Sequence, residues 1–368
     1  MGRKVKEFVN LLIVFSAVAA VFAGCERMSM LSGTPVKFNA GVSVYRAAST
    51  KVTYGPADSP ASSQPIEWEE DDLITIYCDE CEDTKVAGYV VTEVQPEGSE
   101  SNSYASIDNA NGNGLVWDEG EHMFYALYPG VNTTGVSATI NKNDITGSIP
   151  ATQTFGSVTG PDDKFVTPNM NYMFMTAKNS IEADESGTPV FLDFKPLSTA
   201  LEFTITNGFE ESEKAMKINS ISLISAGHAL SGGFAVDMDE TGRYGRPKTT
   251  LSAAVADADK KVTISFGDSP VEIAYGKTLN FTFFLNPGNA TEVNDLTFEI
   301  KGINTNDDEP FTRRAKLEDK TGTGVTFHTH QKTRISGIMV PEAIAWEIEG
   351  EITVTNWINE TEQDKVLQ

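Results

Sequence analysis

Apolar and polar residues alternate every second position through much of this chain, and that period leaves room for little except β-strands. Successive side chains of a strand point to opposite faces, so alternation builds one face that buries and one that stays wet. Leu201, Phe203 and Ile205 fall on one side while Glu202, Thr204 and Thr206 fall on the other. Val262, Ile264 and Phe266 repeat the pattern, as do Leu279, Phe281, Phe283 and Leu285, and then Leu296, Phe298 and Ile300. Shorter segments at 74–77, 123–128, 218–223 and 352–355 read the same way. Helical periodicity is nearly absent. Clusters of Gly, Asn, Asp, Pro and Ser at 109–114 and 286–289 mark turns, and a Pro, Ser and Ala stretch at 56–65 reads as an exposed loop. Many short strands separated by such turns predict an all-β fold built of sandwiches.

The N-terminus carries a second kind of signal. Arg3, Lys4 and Lys6 precede an apolar run from Phe8 to Phe22 that ends in Ala23 and Gly24. This predicts a secretory signal peptide over 1–24, because the run is short for a membrane span and nothing like it recurs downstream. Cleavage there leaves Cys25 as the first residue. The run Val21-Phe22-Ala23-Gly24-Cys25 resembles a bacterial lipobox, with Phe22 where that pattern usually has Leu. Lipidation at Cys25 is therefore expected. More than one acyl chain on that cysteine holds a protein stably, whereas a single chain, at about 0.8 kcal/mol per buried CH₂, does not. Mass spectrometry of the mature N-terminus separates acylation from plain cleavage.

With 28 Lys and Arg against 52 Asp and Glu, the formal net charge is −24, which repels phosphate backbones and argues against nucleic acid as a partner. The length suggests two domains, and a polar, Gly-containing stretch at 179–189 ahead of the apolar run at Val190 places the expected division there: 25–185 and 186–368. Besides Cys25 only Cys78 and Cys81 remain. Their C-x-x-C spacing has neither a second pair nor a nearby His to complete a zinc site. The surrounding Asp79, Glu80, Glu82 and Asp83 would raise a thiol pKa, so a local disulfide at a strand end is expected.

No enzyme emerges from the motifs. Gly276-Lys277-Thr278 resembles the end of a phosphate loop, but Val271 stands where its first glycine belongs and a strand follows. His328 and His330 share a strand face without a third ligand, and the acidic run 67–72 lacks the central Gly of a calcium loop. Catalytic residues, metal ligands and cofactors are therefore expected to be none.

Three segments lying in order behind the lipobox carry a family resemblance: IEWEEDDLITIY at 66–77, FKPLSTALEF at 194–203 and LNFTFFLNP at 279–287. On these the chain resembles the fimbrillin-like family, the two-domain lipoprotein pilins of the type V kind. The resemblance implies two transthyretin-like Greek-key β-sandwich domains in tandem. It implies a subunit of a cell-surface pilus, or a pilus-associated adhesin, assembling with other pilin subunits by β-strand exchange. It places the protein at the outer membrane and cell surface, lipid-anchored in a fimbrium, with a host or bacterial surface ligand as a further partner. In that family an arginine-directed protease removes the first strand; the matching position is Arg46, after the strand-like segment 36–45. The donor strand would be supplied by Ile352 and Val354 in 351–368, which equally suits an ordinary final strand. Trp68, Trp117 and Trp346 keep open a different class, a surface glycan-binding lipoprotein that does not polymerise.

Overall fold

The computed structural model describes residues 33–43, 53–54, 66–96, 102–112, 114–183, 188–208, 215–242, 246–289, 293–305, 310–317, 332–339 and 352–355. The protein is all-β. Its first strands are β1 (Phe38–Ser43), β2 (Thr53–Tyr54), β3 (Ile66–Glu67), β4 (Leu73–Cys78), β5 (Val86–Pro96), β6 (Asn102–Asn109) and β7 (Glu121–Tyr128). There follow β8 (Ala138–Asn141), β9 (Asp144–Ile149), β10 (Thr152–Gln153), β11 (Phe155–Thr159), β12 (Lys164–Pro168), β13 (Met175–Glu182) and β14 (Val190–Pro196). Next come β15 (Thr199–Asn207), β16 (Met216–Ile224), β17 (Gly232–Thr241), β18 (Pro247–Leu251), β19 (Lys261–Ser265) and β20 (Val271–Ile273). The last are β21 (Thr278–Leu285), β22 (Thr297–Asn304), β23 (Pro310–Lys316), β24 (Lys332–Met339) and β25 (Ile352–Thr355).

Seven strands close into a ring in the order β1, β14, β13, β7, β4, β5, β6, with β6 returning to β1. The strands that alternate in sequence alternate in burial. On β14, Val190, Leu192 and Phe194 are buried while Phe191 is exposed, and on β15 Leu201, Phe203 and Ile205 are buried between half-buried polar neighbours. The stretch at 179–189 begins as strand, because β13 runs on to Glu182 in full register with β7. β13 and β14 therefore both line the first hydrophobic core, which holds Trp68, Phe124, Phe174 and Phe194. The second core, around Leu201, Phe203, Phe281, Phe283 and Phe298, lies beneath the β10-β19-β16-β22-β23 and β11-β12-β21-β15-β24-β25 sheets.

The two cores share a wall. Ala200 and Phe284 are register partners on β15 and β21 and belong to the first core, whereas Leu201 and Phe283, one residue along, belong to the second. Gln153 locks this wall by donating its amide to the Phe284 carbonyl and accepting from the Phe284 N–H at 3.1 Å. Strands also cross between the halves of the sequence: β9 pairs with β17, β10 with β19 and β12 with β21.

Beside the second core, Glu299 on β22 is 1% exposed and accepts from Lys261 Nζ at 3.1 Å and Arg314 Nε at 2.6 Å. Burial opposes its ionisation, but Arg314 and Lys261 outweigh burial and hold its carboxyl below the ordinary range. A carboxylate lowered on folding adds stability above its unfolded pKa of about 4.3, and that stability is lost as pH falls through the folded value. Glu299→Gln should therefore lose about 1–3 kcal/mol at pH 7, the worth of hydrogen bonds to a charged group. In urea unfolding its deficit against the parent should shrink below pH ~4. A deficit unchanged by pH would contradict the ion-pair account.

Candidate functional site

The strand-exchange reading rests on segment 36–45, whose described part is 36–43. Val36, Phe38, Ala40 and Val42 all point inward and are buried. β1 runs antiparallel to β6 through six residue pairs, Phe38↔Ile107 to Ser43↔Asn102, and parallel to β14 through five, Phe38↔Val190 to Val42↔Phe194. It is therefore the strand that closes the ring, hydrogen-bonded on both edges. The Phe38 ring meets Tyr89 and Phe124 edge-on at 5.0 and 5.1 Å. Outside the ring, Phe191 from β14 reaches over Gly41 toward Tyr104 of β6, with ring centroids 5.5 Å apart. A Cβ at Gly41 would lie 2.4 Å from the Phe191 ring, so the glycine makes this aromatic clasp fit. Ahead of the strand, the Val36 N–H donates to Leu115 O at 2.9 Å and the Trp117 N–H to Thr34 O at 3.0 Å.

Cys25 and Arg46 lie outside the described residues, as do Trp346, His328 and His330 and the 56–65 stretch. Ile352 and Val354 fall on β25, which pairs antiparallel with β24 at the end of its sheet. The structure does not bring them to β1: the ring holds one strand and the second sheet the other.

Other residues singled out from the sequence resolve into packing. Trp68 and Trp117 are fully buried in the first core. Cys78 and Cys81 are free thiols, both buried, where a disulfide was expected. A hydrogen bond to Cys81, with burial, pushes the Cys78 thiol far up, so it is a poor nucleophile. The acidic run at 67–72 leaves β3 and turns: Asp72 accepts from Glu69 N–H at 2.9 Å and from the Tyr128 hydroxyl at 3.2 Å. Thr278 gives both its N–H and its hydroxyl to Asp163, and Lys277 pairs with Asp162, so this corner binds its own chain.

One constellation escaped the sequence reading. Ser225 Oγ donates to Asp295 Oδ1 at 2.7 Å, and His228 Nδ1 lies 3.0 Å from the same oxygen. The serine proton goes to the carboxylate and not to the imidazole, while Ala226 and Gly227 N–H groups donate to Asp295 Oδ2. Burial disfavours the ionised Asp295, yet Ser225, His228 and Gly227 outweigh it and lower its pKa. The group ties a loop and activates no nucleophile. Ser225 and His228 are neighbours in sequence, but Asp295 lies 70 residues beyond Ser225, so no local pattern shows the group. Among the described residues no group of three or more His, Cys, Asp or Glu is placed to hold a metal ion.

Its structural neighbours are cell-adhesion and fimbrial proteins of Bacteroides and related bacteria. One, from Bacteroides ovatus and ascribed to cell adhesion, is 13% identical with a TM-score of 0.48, covering 89% of this chain and 99% of its own. A fimbrial protein of Bacteroides vulgatus is 11% identical with a TM-score of 0.38, covering 77% and 93%. The tip fimbrial protein of Porphyromonas gingivalis, truncated at its C-terminus, is 10% identical with a TM-score of 0.32, covering 87% and 100%. No family model matches the sequence, and no curated protein matches it. At identities of this size no residue role is carried across.

Proposed function

We propose that this chain is a fimbrillin-like, non-enzymatic subunit of a surface pilus, or an adhesin associated with one, lipid-anchored at the outer membrane through Cys25 and joined to other pilin subunits by strand exchange. The observation that carries the reading is β1: an apolar strand near the N-terminus, hydrogen-bonded along both edges, that closes a ring and ends just before Arg46. Removing it leaves the facing edges of β6 and β14 unpaired around an apolar slot. Each backbone group buried without a partner costs roughly 1–3 kcal/mol, and a strand from a second copy relieves that cost. Ile352 and Val354, alternating with Thr353 and Thr355, supply such a strand.

The test uses a trypsin-like protease that cuts after Arg46. Uncut protein should stay monomeric, and cut protein should give heat-labile ladders on gels. Truncation before Glu351 should abolish the ladders while leaving the β-rich circular dichroism spectrum intact. Cut protein with its tail that remains monomeric at high concentration would remove the exchange mechanism.

A further inference from the structure

The outer face of β13 and β14 carries a cavity that the assembly reading does not use. Met175 and Ala177 of β13, like Leu192 and Phe194 of β14, point into the first core, so Thr176, Lys178, Asp193 and Lys195 point out. Thr176 and Lys195 are register partners. The end of β17 and the start of β18 cross this face, and between them lies a cavity of about 210 Å³ lined by those four residues together with Glu240 and Arg246. It is smaller than the roughly 300–1,000 Å³ of a drug-sized pocket, which suits a single small ring.

Its charges are unevenly committed. Lys178 is held by Asp239 at 2.5 Å and lies over the Tyr125 ring at 5.3 Å, and Glu240 is paired with Lys248. Arg246 is a guanidinium only 3% exposed in the cavity wall. The Lys195 ammonium makes no hydrogen bond or ion pair with any described residue. At the floor, Thr176 is 2% exposed and its hydroxyl has no hydrogen-bond partner. A buried hydroxyl left alone is costly, and it can both donate and accept. One uncommitted cation and an unsatisfied hydroxyl form a complementary set for one negative charge and a neighbouring hydroxyl. A dianion such as a phosphate would meet Asp193 and Glu240 in the same small space.

We propose that this cavity binds a small monocarboxylate bearing hydroxyl groups, the chemistry of a uronic-acid unit, with Lys195 meeting the carboxylate and Thr176, directly or through one water, meeting a hydroxyl. The site goes beyond the assembly reading and stands whether or not the chain polymerises.

The test titrates the full chain with D-glucuronate, using calorimetry or saturation-transfer NMR. D-glucose, which lacks the carboxylate, and acetate, which lacks the hydroxyls, serve as matched probes. Glucuronate should saturate with a Kd on the order of 1 mM or tighter. Lys195→Gln should weaken it about tenfold or more, as loss of a charge-assisted hydrogen bond does, with Thr176→Val weakening it less. Urea unfolding checks that neither variant is less stable than the parent. Failure of glucuronate to saturate, equal binding of glucose or acetate, or a Lys195→Gln titration matching the parent would each overturn the site. The probe comparison needs no variant.

Discussion

Phe203→Ala should lower the unfolding free energy by about 3–5 kcal/mol, the usual range for deleting a buried aromatic ring. Phe203 is fully buried, stacked on Phe281 at 5.3 Å and Phe298 at 5.1 Å, and edge-on to Phe283 at 6.2 Å. Its strand, β15, is paired antiparallel to β21 on one side and parallel to β24 on the other. The backbone therefore has no freedom to fall into the hole, and the cavity term stays near its maximum. Each aromatic pair adds about 0.5–1.5 kcal/mol beyond area burial, so Phe203→Leu should recover only part of the loss. The measurement is a urea midpoint with unchanged slope. A loss under about 1 kcal/mol would mean that the three rings do not pack as described.

Phe38→Ala should cost a similar amount, about 3–5 kcal/mol, but with a second consequence. Phe38 is the largest side chain that β1 sends into the ring, against Tyr89 and Phe124. The destabilisation falls on a strand that, on the exchange reading, has to leave after cleavage at Arg46. The same substitution that weakens the intact protein should thus speed release of the cut strand, while Phe203→Ala should not. Comparing fragment release after cleavage by gel filtration checks this. Equal release from parent and Phe38→Ala would mean that β1 is not held by its side chains.

The strands with a wet face and a dry face were legible in the sequence because burial itself writes the alternation: the runs through Leu201, Leu279 and Val262 are β15, β21 and β19. Strands formed by pairing alone left no such mark. β18, reading PKTTL, and β8, reading ATIN, owe their form to neighbours β17 and β9. Turn chemistry was legible at 286–289, its burial was not. Asn286 and Asn289 are interior residues whose amides donate to the carbonyls of Ser231, Gly232 and Ala229. Gly288 there lies so close to Thr250 that a Cβ would meet its carbonyl oxygen at 2.6 Å. The candidate strand at 36–45 was visible as an apolar segment, but its partners were not: a parallel register with β14 joins residues remote in sequence, and nothing local encodes it. The Asp193 and Lys195 cavity wall was hidden for a related reason, since outer-face charges on a strand read as solvated until another element crosses them.

The wall shared by Ala200 and Phe284 has a mechanical consequence. A thread carrying tension through this molecule meets no swivel between its cores, because β15 and β21, paired through eight residues, each send side chains into both. Load entering near β1 spreads across many hydrogen bonds, and yielding is set by how fast whole sheets rupture and not by their equilibrium stability. Such a link stretches as a stiff rod, and its extension under force should show one large rupture in place of two small ones.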